Sequence, residues 1–341
     1  MNNQEHSPES TGQKKKWWRH LLNPHILFLL LVIAIVLIII FRFSRWGNRI
    51  NIEEFFQLHP HVEEMAENYD SMVPMMDENG NLIPSKNPHT ILFFGNSVFA
   101  DDRDSENNVV NRIAQKTGAT VYNCSVGGSF LASSSYDAKE DLSGRDIYSF
   151  YFLTIYLTWH ELMDSFDWLE SNPDAEILPE TQEVRHILET VDMDTVDTIA
   201  ILYDASDYLA GHTLSNPEDA TDVTTFTGSL EAGLEELQRN YPHIRIIVMS
   251  PTYAFGVDEN GEYVSSDTVF YDKDEKPLST YMLQECASAL TRNVSFVDNI
   301  YGTFNEDEAR DYLTDNLHLN QEGREKVVDR FIRALNYYDR K

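Results

Sequence analysis

Basic residues and cysteines are both scarce in this chain of 341 residues. It carries 26 lysines and arginines against 56 acidic residues, for a formal charge of −30. Seven of the basic residues and only two of the acidic ones precede residue 50, so the remainder, with 19 basic and 54 acidic residues, carries −35. Such a domain repels nucleic acid and anionic lipid head groups, which argues against nucleic-acid partners. Neither of the two cysteines, Cys124 and Cys286, has a second cysteine at metal-ligand spacing. One lies in strand-like and the other in helix-like sequence, so two buried free thiols are expected rather than a disulfide. A phosphate-cradling glycine loop is missing, as is any internal repeat. His59-Pro60-His61, with Glu53, Glu54, Glu63 and Glu64 nearby, has ligand-type residues but no closed ligand set, and "DENGN" and "YDKDEK" lack the glutamate that completes a calcium loop. No metal is expected.

Only one long apolar run is present: Ile26 to Phe41 reads ILFLLLVIAIVLIIIF. Its 16 residues rise roughly 24 Å as a helix, somewhat less than the hydrocarbon core, so flanking Leu22, Phe43 and snorkelling arginines must help it span. "FRFSRWGNR" follows without a small-x-small cleavage site, which favours an uncleaved anchor over a signal peptide. The expected organisation is a cytoplasmic tail (1–25), a transmembrane anchor in the bilayer from Ile26 to Phe43 and a juxtamembrane segment (44–88). A domain over 89–341 follows, outside the cell, with Trp17, Trp18 and Trp46 at the interfaces.

Composition is otherwise that of a folded protein, with 42% hydrophobic residues, 18 Phe and 17 Tyr. Short apolar runs at 91–94, 121–124, 199–202, 244–249 and 294–297 read as buried strands. Helical stripes fall between them: Val109, Val110, Ile113 and Ala114; Leu230, Leu234 and Leu237; then 281–290 and 324–335. Strands alternating with helices predict an α/β fold with a parallel sheet covered on both faces, with ligands at the carboxyl ends of the strands. The aromatic stretch "DIYSFYFLTIYLTWHEL" reads as helix packing, and the excursion over 251–275 as a candidate lid.

"ILFFGNSVFADD", 91–102, ends its apolar run at Gly95-Asn96-Ser97, which puts a serine at the carboxyl end of the first core strand. A serine hydroxyl needs a base to take its proton and a carboxylate to orient that base. Among the 11 histidines, His318 alone has an aspartate three residues before it, Asp315 in "LTDNLHLNQEGREKVV". Gly127-Gly128, in "NCSVGGSF" after the second strand, frees the backbone to aim N–H groups at an oxyanion. Each feature has a plainer reading: Ser97 and Asp315 as helix N-caps, the glycine pair as a tight turn.

Together, and in this order, the blocks resemble the SGNH/GDSL hydrolase family over roughly residues 89–337. The resemblance implies a three-layer α/β/α flavodoxin-like fold and ester chemistry, with Ser97 as nucleophile, His318 as base, Asp315 as orienting acid and Gly127 in the oxyanion block. It implies no metal or organic cofactor. One block departs from the family's Gly-x-Asn-Asp: here it reads Asp204-Ala205-Ser206-Asp207. Ser206 stands where the asparagine donates to the oxyanion, and Asp204 puts a charge where the family has glycine. Asp204 is either a contact for a substrate hydroxyl or amine or a solvated loop carboxylate. The functional expectation is a membrane-anchored serine esterase acting on an acylated carbohydrate or envelope polymer outside the cell. Acyl transfer to such a polymer (D-alanyl or acetyl) and a catalytically weak glycan- or protein-binding domain are the alternatives.

Overall fold

The structure is a computed structural model that describes residues 68–338 apart from 78 and 85. The expected anchor (26–43) and the His59/His61 segment lie outside the described residues. Among the described residues, no helix is long and apolar enough to cross a membrane.

In chain order the elements that build the domain are β1 (Thr90–Gly95), α1 (Ser97–Ala100), α2 (Val109–Thr117), β2 (Thr120–Asn123), α3 (Phe150–Thr158), α4 (Asp164–Ser171), α5 (Thr181–Thr190) and β3 (Thr198–Leu202). They continue with α6 (Ser206–Leu209), α7 (Phe226–Asn240), β4 (Arg245–Met249), the short strands β5 (Gly256–Val257) and β6 (Tyr263–Val264), and α8 (Leu278–Thr291). The chain closes with β7 (Ser295–Val297), α9 (Asn299–Gly302), α10 (Glu306–Tyr312) and α11 (Gln321–Leu335). Each apolar run named above is thus a strand, displaced by a residue or so at its ends.

β2, β1, β3, β4 and β7 form one sheet in that order, all parallel. β3 and β4 are buried along their whole length, as a sheet covered on both faces requires. Consecutive strand residues point to opposite faces, and two neighbours in β1 show what covers each. The Phe93 ring packs on Phe331 of α11, and that of Phe94 on Phe150 of α3. α2 joins α11 on the first face, while α3 packs on α7 and α7 on α8. The aromatic stretch is therefore core: Phe150, Phe152, Leu153, Tyr156 and Leu157 of α3 are buried. Leu230, Leu234 and Leu237 of α7 are also fully buried, each contributing about 1.5–3 kcal/mol. Cys124 and Cys286 are buried free thiols.

Part of the segment before residue 89 belongs to the domain. Ser71 forms an antiparallel bridge with Phe296 on the edge strand β7, and Arg330 of α11 pairs with Asp70 at 2.6 Å. The Asp77 N–H donates to Asn81 O at 2.8 Å and the Gly80 N–H to Asp77 O at 2.9 Å, closing a turn in this segment. β1 leads outward to β2 on one side and its other neighbour is β3, so the carboxyl ends of β1 and β3 mark a topological switch point.

Candidate active site

At that switch point the sheet strands come very close. Gly95 ends β1 opposite Leu202 of β3, and a Cβ at Gly95 would lie 2.2 Å from the Leu202 carbonyl oxygen. Only glycine lets β1 end there and turn into α1. Asn96 follows, fully buried, and laces three loops together. Its Nδ2 donates to the Ser129 carbonyl at 3.0 Å and to Asp204 Oδ1 at 2.7 Å, and its Oδ1 accepts from the Asp204 N–H at 2.9 Å. Asp207 does the same for the loop after β2, accepting from the N–H groups of Leu131 (2.8 Å) and Ala132 (3.0 Å) and from His212 Nδ1 (2.8 Å).

Ser97 opens α1, and its side chain caps nothing. Its Oγ accepts a hydrogen bond from the Gly128 N–H at 3.4 Å. The backbone donor that reaches the serine is thus Gly128, whose φ of +70° turns its N–H into the site; Gly127, the expected block residue, makes no such bond. The glycine pair is both a tight turn and a donor site. The sequence offered the pair and the family resemblance chose Gly127, whereas the bond to the serine comes from Gly128.

His318 sits in the turn between α10 and α11. Its Nδ1 is 2.7 Å from Asp315 Oδ2, while Asp315 Oδ1 accepts from the N–H groups of His318 (2.7 Å) and Leu317 (2.8 Å). Asp315 is not a helix cap: Asn320 caps α11, accepting from the Gly323 N–H at 2.9 Å. Partial burial works against a charge on either group, but the bonds between them prevail. Asp315 is held below the ordinary carboxylate range, and His318 is raised above 6.5, with Asp101 and Asp204 adding to the effect. The excursion over 251–275 is tied to this turn: the Phe255 N–H donates to Asn316 O at 2.8 Å and Asn316 Nδ2 to Phe255 O at 3.2 Å. The excursion that the sequence offered as a candidate lid props the His318 turn.

Ser97 and His318 are not hydrogen-bonded to each other in this structure. The imidazole nevertheless feels both carboxylates that flank the serine: Asp101, whose N–H donates to Ser97 O at 2.8 Å, and Asp204. Nucleophile–base bonds in unliganded sites are commonly open and tighten on substrate.

Ser206 has a different task from the expected one. Its N–H and its Oγ–H both go to Asp204 Oδ1, at 2.9 and 2.5 Å. A hydroxyl has one proton, so in this arrangement none remains for an oxyanion. Burial raises Asp204 and Asp101 above the ordinary carboxylate range, although the Ser206 and Asn96 donors pull Asp204 back and His318 and Arg324 pull Asp101 back. Among the described residues no cluster of three or more metal-ligating side chains occurs.

No protein-family model matches the sequence, and no curated protein matches it. Solved structures do. A protein from Lactobacillus plantarum superposes with a TM-score of 0.50 at 18% identity, over 73% of this chain and 97% of its own. A GDSL-like lipase from Bacteroides ovatus gives 0.41 at 11% identity, over 73% of this chain and 98% of its own. A family two carbohydrate esterase from Clostridium thermocellum gives 0.43 at 12%, over 76% and 67%. At these identities the likeness concerns the fold. What the likeness supports is an α/β domain with a five-stranded parallel sheet, on which this chain carries a strand-end serine and an Asp-x-x-His turn.

Proposed function

We propose that this domain is a serine esterase. One observation carries the reading: the strand-end Ser97 receives a backbone N–H, while His318, held by Asp315 at 2.7 Å, shares the electrostatic field of the carboxylates beside that serine. Ser97 Oγ attacks the ester carbonyl as His318 Nε2 takes its proton, and Asp315 keeps Nδ1–H pointed away from the serine. The Gly128 N–H and the N–H of Ser97, the first of its helix and without an intrahelical acceptor, face the developing oxyanion. His318 then returns the proton to the leaving alcohol, and a water activated by the same base releases the acid. Loss of the family's asparagine donor costs on the order of 3 kcal/mol in the barrier, so turnover of simple esters is expected to be slow.

Labelling with a fluorophosphonate probe tests this directly. Ser97→Ala is expected to abolish labelling and to lower ester hydrolysis on the order of 10⁴-fold with the fold intact. A variant that still labels and hydrolyses normally would overturn Ser97 as the nucleophile, and a parent protein that neither labels nor hydrolyses would leave a binding domain.

The apolar run at 26–41 supports a second part of the proposal, an anchor that holds the domain at the outer face of the membrane beside an acylated carbohydrate or envelope polymer. Full-length protein is then expected in the membrane fraction, with the domain digested by protease added outside intact cells. Protection from that protease would reverse the orientation.

A further inference from the structure

Asp204 uses only one of its two oxygens. Oδ1 collects Asn96 Nδ2–H, Ser206 N–H and Ser206 Oγ–H, at 2.7, 2.9 and 2.5 Å. Oδ2 has no hydrogen-bond partner among the described residues, although the residue is only 2% exposed, and it is not one of the side-chain oxygens sealed from solvent. An oxygen so nearly withdrawn from solvent and without a donor keeps little hydration, and a partner that arrives through the opening restores a hydrogen bond. Asp101, close enough to Asp204 to feel its charge, has a carboxylate bonded to no group among the described residues. The basic side chains nearby are already engaged. Arg103 pairs with Glu183 at 2.7 Å and donates to Ser125 O and Asn123 O, while Arg324 pairs with Asp102 at 2.5 Å. His318, the remaining group that feels both carboxylates, must be neutral to act as base. Among the described residues, the surroundings of the nucleophile therefore hold two carboxylates and no cation dedicated to them.

We propose that Asp204 Oδ2, assisted by Asp101, receives a substrate ammonium group, so that this site prefers esters whose acyl part carries a protonated amine. The inference rests on the esterase reading. The acyl part is specified because it stays on Ser97 Oγ through both half-reactions, and Asp204 is bonded to the residue immediately before that serine. An ammonium has three donors and no acceptor, which matches two acceptor carboxylates; a neutral hydroxyl has one donor and supplies no charge. A site built around a buried acceptor also discriminates strongly against an analogue that lacks the donor.

Three near-isosteric esters of one alcohol, aminoacetyl, hydroxyacetyl and propanoyl, test the proposal on the full-length protein at about pH 6.5, where the amine is protonated. After division by the uncatalysed rates, kcat/KM is expected to favour aminoacetyl over propanoyl by about tenfold or more, with hydroxyacetyl well below aminoacetyl. Asp204→Asn is expected to remove most of that ratio and Asp101→Asn part of it; a ratio is read because it is insensitive to the fraction of folded enzyme. Equal rates for the three acyl groups, hydroxyacetyl matching aminoacetyl, or a preference intact in Asp204→Asn would each overturn the inference while leaving the esterase standing. If no ester turns over and the fluorophosphonate leaves Ser97 unlabelled, the esterase reading itself falls and takes the inference with it.

Discussion

Asp315 acts on His318 in two ways that pull measurable quantities in the same direction. Its Oδ2 fixes the tautomer by accepting from Nδ1, and its charge raises the imidazole above the ordinary value of 6.5. The base must be neutral, so kcat/KM is expected to fall as pH drops through that raised value. In Asp315→Asn the charge is gone, His318 titrates lower, and the acid limb is expected to move to lower pH while the plateau drops on the order of 10³- to 10⁴-fold. A pH–rate profile of both proteins checks this; an acid limb that stays in place would mean that Asp315 does not set the His318 titration. The Asp-x-x-His spacing made this pair legible, since i and i+3 side chains in a turn share a side. The partners of Ser97 were not legible, because Gly127 and Gly128 differ only in the dihedral the folded loop gives them.

At the level of elements, the nucleophile depends on how β1 meets β3. Gly95→Ala would drive a Cβ to 2.2 Å from the Leu202 carbonyl, and backbone cannot yield as a flexible side chain does. The expected loss is about 3 kcal/mol of stability, with ester hydrolysis falling further than the folded fraction because α1, and Ser97 with it, must shift. Urea unfolding alongside active-site titration measures the two separately, and a variant as stable and as active as the parent would show that β1 can part from β3 at no cost. Hydrophobic periodicity placed β1, β3, α7 and α11 within a few residues of their observed ends, since a fully buried strand leaves an unbroken apolar run and an amphipathic helix leaves a stripe. The role of the 251–275 excursion escaped it: the bonds from Phe255 to Asn316 join residues 61 apart, and no local pattern records such a contact.

For the molecule as a whole, Glu285 of α8 is a standing cost. It is 1% exposed, both its carboxyl oxygens lack a partner, and burial, aided by Asp207, raises it well above its ordinary value of 4.5. Below about pH 4.5 the carboxyl is protonated in both states. As pH rises above that, the unfolded chain releases the proton while the folded one keeps it, so stability declines until the buried group itself ionises. Glu285→Leu removes both the unpaired polar group and the titration. Thermal unfolding at several pH values is expected to show a gain of about 1–3 kcal/mol at neutral pH and a flatter profile above pH 4.5. A destabilised variant at every pH would mean that the carboxyl has a bonding role in the fold.

Sequence alone determined the class of the fold, the strand-end position of Ser97 and the pairing of Asp315 with His318, because each is a matter of spacing within one element or one turn. Charge, too, was set at that level. Tertiary structure decided the rest of the site. Asn96 and Asp204 are 108 residues apart and meet only because β1 and β3 are neighbours at the switch point. At that meeting Asn96 joins the two Ser206 donors on Asp204 Oδ1, which leaves Oδ2 without a donor among the described residues. Side chains brought together by strand order carry no local signature, since spacing along the chain reports only neighbours along the chain.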